Sequence, residues 1–355
     1  MVYICFLLYG FVTLKLFDYY RNIKYIDFFL LMPFVFIWVL IVGGQFSVGT
    51  DYFTYLDHFI NLSYNKILLN KNEYFFIYFI EFCQYIGISG QGCFFIIAFI
   101  EVLILIKILY VVFGEKSWHI FFFVFICFST VFNNQMNAIR QYFSVYIFSL
   151  SVVFFLKNNY FLSFILYSIC IGIHRSSIFL FLIYLYLIFV QNKFDNKFIL
   201  VLMVCFGGLL ANINIIGFIR EVASYIGYDT YATSSYVNII PLKFKIIKFY
   251  YIPYYIYIIF NISKYSLSRF EKKIFNLGVF AFSIKLAMLS LTILNRFSFY
   301  FEILMIFPLV IFILKSKGSK DNFVKILLCF SMFTIYMLKV TIFAQREYLY
   351  QSIFF

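Results

Sequence analysis

The chain has 355 residues, 65% of them hydrophobic and 12% charged, with a net charge of +13. A soluble protein of this length could not hide so much apolar surface. In a membrane chain a positive balance belongs to loops beside the bilayer, so it gives no ground for a nucleic-acid partner.

Apolar runs near the length of a bilayer crossing predict an all-α polytopic bundle, one integral membrane domain over residues 1–355. No basic stretch precedes the first run, at about residues 2–17, so no cleaved signal peptide is expected. Arg21 and Lys24 follow that run, which puts the N-terminus outside. The second run, 28–42, then leads to an external segment carrying GTDYFTYLDHF. Residues 73–88 are short and hold Glu73, Glu81 and Gln84, which suits a re-entrant or interfacial helix as well as a span. Treated as non-crossing, this segment sets the parity of the rest. The runs 93–113, 118–132, 141–156, 160–173, 176–190 and 198–216 then alternate in direction. They are followed by 244–260, 274–294, 297–314 and 323–343, giving about 12 crossings with both termini outside.

The cations test this path. The expected cytoplasmic segments carry lysine almost throughout, with arginine only at Arg21 and Arg269. The expected external segments carry fewer cations, among them Arg140, Arg175, Arg220, Arg296 and Arg346. Lysine is the ordinary topology charge, whereas a guanidinium is a fork suited to phosphate or carboxylate. Arginines gathered on the face where the positive-inside bias disfavours them read as an anion site.

Several residues are candidates for chemistry. Asp51 follows Gly49 at a turn, and its spacing with Tyr55 and His58 suits one face of a short helix. Asp51 fits two compatible roles, a base or sugar ligand and the N-cap of the helix beginning near Tyr52. Arg140 and Gln141 head a long apolar run; the alternative is an interfacial arginine reaching back to water. His174 and Arg175 lie between two short runs, and histidine is the side chain best suited to exchange a proton near neutral pH. A hydrogen-bonded structural role is the plainer reading of a lone histidine. Arg296 stands at an expected external bend. Glu302 in the helix that follows is expected to pair with a cation inside the bundle, and Glu101 and Lys285 also fall within spans. Arg220 and Arg346 are weaker candidates. The seven cysteines form no CxxC pair, and His58, His119 and His174 lack zinc-site spacing, so no metal or cofactor is expected.

The segments GTDYFTYLDHF, IRQYFSVYIF, IHRSSIFLF, NRFSFYF and EYLYQSIFF, in that order, resemble the successive motifs of the EpsG-like, Wzy-type bacterial polysaccharide polymerases. The resemblance covers about residues 45–355. It implies a bacterial inner-membrane glycosyltransferase similar to the multi-span, GT-C-like class. The implied donor and acceptor are oligosaccharides on undecaprenyl pyrophosphate, with a chain-length regulator as a further partner. Carried over residue by residue, Asp51 and His174 become candidate bases. Arg140 and Arg296 become pyrophosphate ligands, with Arg175 beside His174 as a further candidate and two of the three forming the clamp, and Gln141, Tyr300 and, more loosely matched, Tyr350 become substrate contacts. The Pro-Tyr expected near Tyr350 is missing here. A lipid-linked oligosaccharide flippase, a polysaccharide ligase and a membrane acyltransferase are the rival readings. No internal repeat favours the transporter.

Overall fold

The computed structural model of the chain describes residues 1–20, 26–61, 68–69, 72–114, 116–189, 196–213, 216–217, 221 and 238–354. The chain divides into two compact units, residues 1–184 with 329–355, and residues 185–328. In the first unit the helices are α1 (Val2–Tyr20), α2 (Ile26–Gly43), α3 (Tyr52–Ile60), α4 (Tyr74–Tyr85), α5 (Gln91–Phe113), α6 (Trp118–Phe128), α7 (Val131–Asn134), α8 (Ile139–Leu156) and α9 (Tyr160–Ile173). After α10 (Phe181–Phe189), the second unit contains α11 (Lys197–Leu210), α12 (Leu242–Phe249), α13 (Ile252–Asn261), α14 (Arg269–Ala287), α15 (Thr292–Phe297) and α16 (Phe307–Lys315). The chain then continues through α17 (Ser319–Val340).

Among the described residues there is no strand, only two isolated bridges. A bilayer asks for this, because a helix satisfies its own backbone polar groups where no water can. The protein is an all-α membrane protein. Among the described residues five helices, α1, α5, α8, α14 and α17, are long and apolar enough to cross, and a bent pair makes a sixth. Five further apolar helices, among them α6, α9 and α11, are shorter than a perpendicular crossing needs. Helix length alone therefore supplies about half of the expected 12 crossings.

Two expected runs are broken rather than straight. The run 297–314 is cut into Thr292–Phe301 and Leu304–Lys315, which meet at 67°. Pro308 starts the second piece, where its missing N–H costs nothing, and Ser298 Oγ donates back to Asn295 O in the first. Arg296 accordingly lies within α15, not at the external bend expected of it. The run 244–260 is divided at Tyr250-Tyr251, ahead of Pro253 in the first turn of α13.

In the first unit α8 is the central helix, with 78% of its span buried. It packs on α5 and α9. Small polar side chains let α8 and α9 approach: Ser144 Oγ lies 2.9 Å from Cys170 Sγ, and Ser151 Oγ donates to Ser163 O at 2.6 Å. The turn between them is tight, with Asn158 at φ 62° and the Asn159 side chain capping α9 through Leu162 N. At the same end, Asp18 of α1 accepts from the Trp118 and His119 backbone and from the His119 ring, capping α6 from a distance.

Residues 73–88 hold α4 and its two flanking contacts. Glu73, just before α4, contacts the head of α8. Gln84, near its other end, donates to Phe59 O at 2.9 Å, and Gly90 N to the same oxygen at 3.4 Å. Both ends of α4 thus meet segments gathered at one end of the unit. With 12 residues, α4 is only about 18 Å long, shorter than a perpendicular crossing needs.

Candidate functional site

Arg140 stands in the first turn of α8, where the helix dipole repels a cation, so it needs a counter-ion from elsewhere. Glu73, the N-cap residue of α4, supplies it: Arg140 Nη1 donates to Glu73 Oε2. His174, the extended C-cap of α9, brings Nδ1 to 3.0 Å from Glu73 Oε1. The backbone N–H of Arg175 donates to the same oxygen at 3.3 Å. One carboxylate therefore gathers three chain segments. The cluster is graded outward: side-chain exposure is 3% at Glu73, 15% at Arg140 and 24% at His174. Burial pushes the Glu73 carboxyl up. The His174 hydrogen bond, the Arg140 charge and the Arg175 N–H outweigh it and hold the group below the ordinary carboxylate range.

The walls are aromatic. The Arg140 guanidinium lies 5.6 Å from the centre of the Tyr55 ring and 5.9 Å from that of Phe76. Gly172 makes the approach of α4 to α9 feasible, since a Cβ there would collide with Phe75. On the α3 side, Asn137 Oδ1 accepts from Thr50 N at 2.8 Å and Asp51 N at 3.2 Å. Gly49 adopts φ +78°, and any Cβ there would strike Asn137. Below this, Gln91 ties the exit of α2 to α3: its Nε2 donates to Gly43 O and Gln45 O, and Tyr52 OH donates to its Oε1 at 2.7 Å.

The expected site residues separate as follows. Asp51 takes the N-cap position of α3, but its side chain caps nothing; Thr50 Oγ donates to Asp51 Oδ1 at 2.8 Å. Tyr55 and His58 share the buried face of α3. Arg140 and His174 come together on Glu73, and Arg175 joins through its backbone with its side chain exposed. Gln141 is buried beside Arg140 in the first turn of α8. Tyr350 donates to Ile41 O at 3.0 Å and packs on Tyr3, so its hydroxyl is engaged by α2. Arg296 and Tyr300 belong to the second unit, Arg296 exposed and Tyr300 fully buried. Arg220 lies outside the described residues. Among the described residues no group of three or more His, Cys, Asp or Glu has a metal-holding arrangement.

Glu73, Asn137 and Gln91 are what the sequence reading missed. The available signal for Glu73 was a carboxylate heading an apolar run too short to cross. In the second unit the expected intramembrane pair is present. Lys285 Nζ donates to Glu302 Oε1 at 2.8 Å, Ser298 Oγ at 2.9 Å and Asn295 Oδ1 at 3.1 Å. Those contacts use all three ammonium protons.

A family model described as the EpsG family matches residues 27–352. No curated protein and no solved structure matches the chain.

Proposed function

Because the chain belongs to the EpsG family, we propose that it is a polysaccharide polymerase of the bacterial inner membrane. It joins oligosaccharide repeat units carried on undecaprenyl pyrophosphate, within a GT-C-like bundle of about 12 crossings, at the face turned away from the cytoplasm. The supporting observation is the convergence of Arg140, His174 and the Arg175 backbone on buried Glu73, in a family of polysaccharide polymerases.

In the reaction an acceptor hydroxyl oxygen attacks the anomeric carbon of the donor glycan. The bond from that carbon to the pyrophosphate oxygen breaks, and the lipid pyrophosphate leaves with the electron pair. Arg140 supplies fixed positive charge where that negative charge grows, with Arg175 as a further ligand. His174 or Asp51 takes the hydroxyl proton. Gln141 orients the donor end at the head of α8.

Deletion of the gene, with gel analysis of the surface polysaccharide, tests this reading. Polymerase loss leaves lipid A-core bearing a single repeat unit, or removes the capsule; flippase loss leaves no repeat attached. Wild-type protein is expected to restore long chains. Arg140→Lys, a point charge without the fork, is expected to restore none while remaining in the membrane at normal level. Long-chain polysaccharide at wild-type level with Arg140→Lys would exclude the clamp.

A further inference from the structure

We propose that Glu73 is the positioning residue of a Glu–His pair, holding His174 with its proton on Nδ1 so that Nε2 faces the incoming sugar hydroxyl as the base. This rests on the polymerase reading and deepens it, because it chooses His174 over Asp51 and adds a residue to the machinery.

The argument is one of obligate donors. Glu73 Oε2 faces Arg140 Nη1, a nitrogen that only donates. Glu73 Oε1 faces the Arg175 backbone N–H, which also only donates. A carboxylate paired with the permanently charged guanidinium is held ionised, so it accepts in all three contacts and has no proton to give the third neighbour. His174 Nδ1, 3.0 Å from Oε1, must be the donor in that contact. A neutral imidazole has one N–H, so the lone pair is left on Nε2, on the opposite edge of the ring.

The surroundings favour the assignment. Glu73 is 2% exposed and fixed by three donors from two segments, so it serves as an anchor and not as a group that meets substrate. The His174 side chain remains 24% exposed. Its backbone is pinned too, by His174 N donating to Cys170 O and Ser177 N donating to His174 O. Asp51, the rival base, accepts from the Thr50 hydroxyl and has no comparable partner that sets a proton on it. A carboxylate that orients a histidine and steadies its charged form as it takes the proton is the arrangement used in acyl transfer.

The test reads the ring directly. Full-length protein labelled with ¹⁵N histidine contains only His58, His119 and His174, and the His174 signals are assigned by their disappearance in His174→Asn. At pH 9 the wild-type ring is expected to show a protonated Nδ1 and a bare Nε2. In Glu73→Ala the population is expected to move to the Nε2-protonated form that imidazole prefers in water, with Glu73→Asp in between. In a polymerisation assay Glu73→Ala is expected to lose about 10²-fold or more in kcat, the scale of general-base catalysis, with KM little changed. Partial rescue is expected in Glu73→Asp. A wild-type His174 protonated on Nε2 overturns the pair, and that spectrum decides even where Glu73→Ala fails to fold. A folded Glu73→Ala with an unchanged tautomer overturns it equally. Should the deletion strain keep its long chains while the Nδ1-protonated ring is observed, the polymerase reading falls and the positioning by Glu73 stands.

Discussion

Glu73 keeps its charge in a nearly dry place because three donors surround it, and the consequence has a definite sign. Its folded pKa is lower than its unfolded one, so the stabilisation is complete above the ordinary glutamate value of about 4.3 and is lost as pH falls through the folded value. Thermal unfolding in detergent should therefore show wild type exceeding Glu73→Gln by about 1–3 kcal/mol at neutral pH. The gap should close in acid; one that stays constant down to pH 3 would remove the carboxylate charge from the account. At this scale the sequence was legible in part. Arg140 and His174 stand out because a polar group at the edge of an apolar run is costly and conspicuous. Glu73 does not, since its partners lie 67 and 101 positions away and the pairing exists only once α4, α8 and α9 are packed.

Among the elements, the loop before α3 is set by a single glycine. Gly49→Ala forces a side chain into left-handed backbone, about 1–2 kcal/mol, and drives its Cβ into Asn137. The variant is expected to enter the membrane yet to make less long-chain polymer, scored on the same gels; unchanged polymer would show that the Asn137 contacts do not position Asp51. The α14–α15 region offers a second case. Glu302 is 0% and Lys285 3% exposed in their side chains, so Lys285→Met alone strands a buried carboxylate and should cost about 3–5 kcal/mol. Adding Glu302→Leu should recover much of that in thermal unfolding. This pair was legible because a charge in the middle of an apolar run demands a partner. The breaks at Tyr250-Tyr251 and, at 67°, at Phe301–Leu304 were not, since the apolar runs resume directly beyond both. Pro253 and Pro308 were the clues passed over.

For the molecule as a whole, hydropathy and the lysine–arginine asymmetry were enough to recognise an all-α membrane chain and to choose an orientation. They could not say which apolar runs span fully, because α6, α9 and α11 are as apolar as the long helices but shorter. Sidedness can be measured. Alkaline phosphatase inserted after Phe46 is expected to be active, and inserted after Asn158 inactive; the reverse pattern would place Glu73, Arg140 and His174 in the cytoplasm. The wide sequence separation of the Glu73 contacts also bears on biogenesis. At about 5–20 residues per second of synthesis, the acid leaves the ribosome several seconds before Arg140 follows and longer before His174 does. Throughout that wait an ionised carboxylate has to remain hydrated at the translocon exit. A glutamate whose partners arrive so late is held by water first and by the protein only when α8 and α9 have packed.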